Sequence, residues 1–326
     1  MKHKPKIILI LLAMFLLTQF IGLYVINYYS VPANPLPLGM GYPQTPQNCQ
    51  ISSFAEFFSC TQYLGSLIFA FVLAITLFLF LSKIRAEFII RIWFFFVVSI
   101  ALLITFQSFI PGISYAFIIS IIVAVLFAFL KVFKRNMIIH NITELLIYPG
   151  IAAIFVPILN IYTMLILLVL ISVYDMWAVW HSKIMIKMAR FQINKVKTFS
   201  GFFVPYISKK VRLQLKKLRS SKSKIKGKKI KVNVAILGGG DVVFPMIAAG
   251  VVLKYILSKA GIESITFSHL IASNYILAPL LVIVGAILGL TFLFIFSEKR
   301  KFYPAMPFIT AGIFLGLLVA WLVSLI

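Results

Sequence analysis

Apolar runs of about 20 residues recur along the whole chain, and crossing a bilayer is the one use that such runs share. A helix rising 1.5 Å per residue needs about that length to traverse a ~30 Å hydrocarbon core. The runs lie near residues 7–29, 63–82, 88–109, 112–133, 138–157, 160–182, 231–257, 270–297 and 304–326. Lipid offers a backbone amide no partner, so each run must close its own hydrogen bonds as a helix. The short alternating strands of a membrane barrel are not seen in the sequence. Only 12% of residues are charged, against roughly a quarter in a soluble domain. The sequence therefore predicts an all-α, polytopic membrane protein of nine transmembrane helices.

The first run follows "MKHKPK". It is longer than a secretory h-region and no small-residue cleavage site follows it, so it reads as a retained span. Charge then orients the bundle. All but two of the 31 lysines and arginines fall before the first run or in alternate connections and the run ends that flank them, among them Lys83, Arg85, Arg91, Lys131, Lys134, Arg135 and the basic stretch 183–231. The exceptions are Lys254 and Lys259. The positive-inside rule places the N-terminus in the cytoplasm and, after nine spans, the C-terminus outside. Three parts follow: six spans in 1–182, a basic cytoplasmic loop at 183–230, and three spans in 231–326. The tightest connection is "FVPILNI" between the fifth and sixth spans.

A net charge of +24 raises nucleic acid as a partner, but no aromatic or fold feature supports it. The basic loop instead suits anionic lipid. Val211, Leu213, Leu215 and Leu218 against Lys209, Lys210, Lys216, Lys217 and Arg219 fit a surface-lying helix imperfectly, and "SKSKIKGKK" reads as disordered. A role for the loop in gating substrate is the weaker of two readings, behind a lipid-bound anchor. Cys49 and Cys60 share the first exterior loop, which is rich in Pro and Gly; a disulfide and two thiols both fit their spacing. His3, His140, His181 and His269 are scattered, with no zinc-ligand pattern, and no metal or cofactor is expected. Trp177 and Trp180 read as interface anchors, and the Gly285–Gly289 and Gly312–Gly316 spacings as helix packing.

The chain has two aspartates, Asp175 and Asp241, both inside apolar sequence. Asp175 precedes Lys183 by eight residues and Asp241 follows Lys231 by ten, about 12 and 15 Å along a helix. An acid at that depth costs ~2.5–3.5 kcal/mol on insertion scales and marks a functional site by default. The plain alternative for either residue is a polar crosslink between helices. Two facing carboxyls that share a proton suit peptide hydrolysis. One takes a proton from the attacking water while the other polarises the scissile carbonyl. Gly238, Gly239 and Gly240 allow close backbone approach and unusual dihedrals beside Asp241. Pro245 removes the helical donor for the Asp241 carbonyl.

Tyr174-Asp175, Gly238-Gly239-Gly240-Asp241 and Pro304-Ala305-Met306 resemble the YD, GxGD and PAL motifs of presenilins and signal peptide peptidases, the GxGD intramembrane aspartyl proteases. The likeness covers order, spacing and span layout. It implies that Asp175 and Asp241 are the catalytic pair, with Tyr174, the three glycines and Pro304, Ala305 and Met306 bordering the site. Met306 stands where the family has Leu, a swap of similar volume. "PAMPFI" and the cytoplasmic N-terminus are closer to the presenilin branch. That implies single-span substrates with an outside N-terminus and, given the short chain, an archaeal homologue acting without obligatory partner subunits. Two rivals remain. A prepilin-type peptidase would have fewer spans and no PAL-like segment. A proton- or ion-coupled transporter would show internal repeats, and none is found.

Overall fold

The computed structural model describes residues 5–31, 34–39, 61–83, 87–112, 115–134, 136–182, 200–206, 233–262, 265–297 and 303–323. Among them run nine long helices: α1 Pro5–Ser30, α2 Gln62–Lys83, α3 Glu87–Phe109, α4 Ala116–Phe133, α5 Met137–Phe155, α6 Ile161–Met176, α7 Gly240–Lys259, α8 Leu277–Phe296 and α9 Met306–Leu322. Eight of these, taken with the short turns that extend α5, α6 and α8, are long and apolar enough to cross a membrane. The ninth, α9, has 17 residues, about 25 Å and at the short end of the spanning range. The protein is a multi-pass membrane protein. Cys49, Cys60, His3 and the residues 209–219 of the expected surface helix lie outside the described residues.

Helix α7 sits at the centre. In an 18-residue window of it 72% of residues are buried, whereas none of Leu64–Leu81 in α2 is. Small residues make that centre close-packed. A methyl group on Gly250 would lie 2.7 Å from both Ile26 of α1 and Val156 after α5. Along α8 and α9 the two glycine pairs meet backbone to backbone: Gly285 faces the Gly312 carbonyl, and Gly289 faces that of Phe308. This is the packing expected of those spacings. The tight α5–α6 connection is a capping box: the Asn160 side chain accepts from the Thr163 amide at 2.9 Å, and Thr163 Oγ1 accepts from the Asn160 amide at 2.9 Å.

One region departs from the helical expectation. Residues 231–239 were expected to begin the seventh span, but β2 (Asn233–Gly238) is a strand, paired antiparallel with β1 (Gly201–Tyr206). Thus β1 lies inside the stretch expected to be a basic loop. Register runs from Gly201↔Gly238 to Tyr206↔Asn233. The period of two is visible in burial: Phe202, Val204, Ala235 and Leu237 are buried while Ile236 is exposed. A short apolar run fits strand and helix equally by hydropathy, and here β-branched residues and the three glycines favour the strand. The depth of Asp241 therefore does not follow from ten helical residues. It stands at the second position of α7, directly after the hairpin.

Candidate active site

Asp175 lies in the last turn of α6, where the helix passes into a π-helical turn, Trp177–His181; such turns are frequent at functional sites. Its residue is 6% exposed. Oδ2 accepts a hydrogen bond from the Met306 amide at 3.1 Å. Met306 opens α9, and the first amides of a helix have no partner within it, so they make a ready seat for a carboxylate. Pro304 and Met306 are buried on the approach to that helix. Because Met306 contributes its backbone, the change from Leu leaves this contact available. One turn away, the hydroxyls of Ser172 and Thr310 are 2.7 Å apart and tie α6 to α9 a second time.

Asp241 is held differently. It is partly exposed, and a Cβ on Gly238 would lie 3.0 Å from its Oδ2. Helix α6, which carries Asp175, packs on α7, which carries Asp241, and the two carboxyls are neighbours across that contact. The structure thus brings the two aspartates of the chain into one site, from helices α6 and α7. Behind Asp241, Gln19 of α1 donates from Nε2 to the Val242 carbonyl at 3.0 Å, and Pro245 sits inside α7 as expected.

The three glycines divide. None has a positive φ, so unusual dihedrals are not their reason. Gly239 is demanded by packing: a Cβ there would meet Ser200 Oγ at 2.6 Å and Tyr148 Oη at 2.9 Å. Gly240 is exposed, and a Cβ there would meet only the Phe244 ring, at 3.6 Å. Tyr174, expected at the border of the site, packs edge-to-face on Phe71 of α2 with centroids 5.8 Å apart. Its ring belongs to the α2–α6 contact.

Sequence reasoning missed a polar cluster on the far side of the hairpin. Lys131, expected among solvated basic residues, is buried in α4 and ion-paired with Glu144 of α5. His140 Nε2 lies 2.8 Å from the Gly201 carbonyl, Asn141 binds the backbone of Phe203, and Tyr148 stacks edge-to-face on Phe202. The signal was available: an acid, an imidazole and an amide inside "IIHNITELLIY" ask for partners as much as the aspartates do. Among the described residues, no three His, Cys, Asp or Glu side chains converge as a metal-binding set.

The sequence matches the family described as signal-peptide peptidase, presenilin aspartyl protease over residues 41–326, and the chain belongs to that family. Its fold agrees with two crystal structures of a presenilin family intramembrane aspartate protease. The one in space group P2 superposes with a TM-score of 0.56 at 21% identity, covering 96% of each chain. The one in C222 gives 0.51 at 20% identity, covering 95% of this chain and 94% of the other. No curated protein matches the sequence. The protein is an intramembrane aspartyl protease, a hydrolase of peptide bonds.

Proposed function

We propose that Asp175 and Asp241 are the catalytic pair, and that they hydrolyse single transmembrane segments with water and without a cofactor. The observation that carries this is their convergence from adjacent helices onto one site whose Asp175 is seated on the N-terminus of α9. One carboxyl removes a proton from the attacking water as the other donates a hydrogen bond to the scissile carbonyl. The second then passes its proton to the leaving amine. Pro304, Ala305 and Met306 place the amide that holds Asp175. Gly240, the open one of the three glycines, is where a substrate backbone reaches Asp241.

A helical substrate hides its scissile carbonyl in the helix ladder, and unwinding within lipid leaves backbone groups without partners. The hairpin meets that need by strand addition. Strand β2 runs directly into Gly239, Gly240 and Asp241, so a segment paired along it arrives at the carboxyls extended. Basic connections face the cytoplasm in this reading, the loop 183–230 lies on anionic lipid between the six-span and three-span parts, and no partner subunit is required.

The test is cleavage of a single-span peptide by the detergent-solubilised protein, followed by mass spectrometry. Asp175→Asn and Asp241→Asn each abolish cleavage while leaving expression and thermal unfolding as in the wild type. Retained proteolysis in both purified variants would overturn the assignment.

A further inference from the structure

A two-stranded sheet has two outer edges, and in this molecule they differ. Both backbone groups of Phe203 turn away from β2. Its carbonyl accepts from Asn141 Nδ2 at 2.8 Å, and its amide donates to Asn141 Oδ1 at 3.0 Å. In an antiparallel ladder such residues alternate with those bonded to the neighbouring strand. The outward residues of β1 are therefore Gly201, Phe203 and Pro205. The Gly201 carbonyl takes His140 Nε2 at 2.8 Å, and Pro205 has no amide hydrogen to offer. The outer edge of β1 is thus occupied at Gly201 and Phe203 and offers no donor at Pro205. By the same alternation Ile236, opposite Phe203, turns its amide and carbonyl to the outer edge of β2.

Both side chains that occupy this edge stand on α5. Residues 140, 141, 144 and 148 fall within about 100° of its circumference at 100° per residue. Glu144 anchors that face: buried and paired with Lys131 of α4, it also reaches Ser200 Oγ, the residue before β1, at 3.5 Å. Tyr148 completes it, with its hydroxyl against the space that a side chain at Gly239 would occupy and its ring on Phe202. One helix face thus touches the start of β1, its outer edge and the elbow that leads into Asp241.

We propose that this face of α5, His140, Asn141, Glu144 and Tyr148, is a positioning surface that closes β1 to strand addition and fixes the Gly239 elbow, so that substrate pairs only along β2, in one register relative to Asp241. The inference rests on the catalytic reading of Asp241 given above. These residues touch neither carboxyl of the pair by hydrogen bond; they act through the hairpin. Register matters because a slip along a strand moves a different peptide bond to the carboxyls.

Two measurements on the full-length, detergent-solubilised protein test it, with Asn141→Ala and, as control, Ile142→Ala, whose side chain is exposed on the neighbouring face. The first is amide hydrogen exchange over residues 200–206. Asn141→Ala is expected to speed exchange at Phe203 about tenfold, the scale of one lost hydrogen bond, and Ile142→Ala to leave it unchanged. The second is cleavage of a single-span peptide, reading product ends by mass spectrometry. Asn141→Ala is expected to add products displaced along the peptide and to lower kcat about tenfold with KM little changed. Asn141→Asp keeps the acceptor for the Phe203 amide and loses the donor to its carbonyl, so it falls between, and it carries the test where the alanine variant does not fold. Unchanged exchange overturns the proposal. Faster exchange with wild-type products and rates overturns it too, since the surface would then hold the hairpin without steering substrate. Exchange is also read in the Asp241→Asn background. A failure of the catalytic reading, seen as cleavage surviving in both aspartate variants, is thereby told apart from a failure of the positioning role.

Discussion

The two aspartates come from opposite kinds of local structure. Asp175 ends a helix, is buried, and is seated on the first amide of α9. Asp241 begins a helix, is partly exposed, and follows a strand and three glycines. One carboxyl is clamped by its neighbours, and the other is presented beside an open backbone. In the proposed mechanism one member is kept in place while substrate is brought to the other, and the parts of the chain that surround each aspartate differ accordingly.

The largest effect expected from breaking this arrangement is that of the carboxyls. Asn at either position costs about a thousandfold or more in kcat, the scale of acid–base catalysis, as measured by peptide cleavage. Next come the glycines on the presented side, which should separate from one another. Gly239→Ala overpacks against Ser200 and Tyr148 and is expected to cost about 1–3 kcal/mol, read as a lowered midpoint of thermal unfolding in detergent. Gly240→Ala, with only Phe244 near, is expected to leave unfolding within about 0.5 kcal/mol of wild type and to raise KM. Equal destabilisation by both would erase the distinction between the packed and the open glycine. On the clamped side, Thr310→Val removes the hydroxyl contact to Ser172 at about 1 kcal/mol and is expected to lower kcat several-fold. Met306→Leu is the smallest, under about 1.5 kcal/mol with near wild-type cleavage, because the backbone amide survives it.

How much of this could be read from the sequence follows from what hydropathy measures. The spans, the two acids, the glycine seam of α8 and α9 and the Pro304–Met306 approach were all legible, since each is a departure from or a spacing within long apolar helices. The hairpin was not. "VNVAILG" is as apolar as the helices beside it, and its strand pairing is made with residues 201–206, far off in sequence and inside a stretch dominated by lysine. The Lys131–Glu144 pair was hidden for a related reason: a lysine at the end of a span looks solvated unless its partner, one helix later, is considered with it. Nor does a shared motif with Asp175 say where the Tyr174 ring packs, which is on Phe71 of α2.

The seam between α8 and α9 has a reach beyond its own packing. Gly289 touches the backbone at Phe308, two residues from the amide that seats Asp175, with nothing compressible between the main chains. A methyl group there pushes on the seat itself. A survey of variants scored only by lost proteolysis would rank Gly289 among the chemical groups, although it has no proton to give; its contribution is the fixed distance between two backbones.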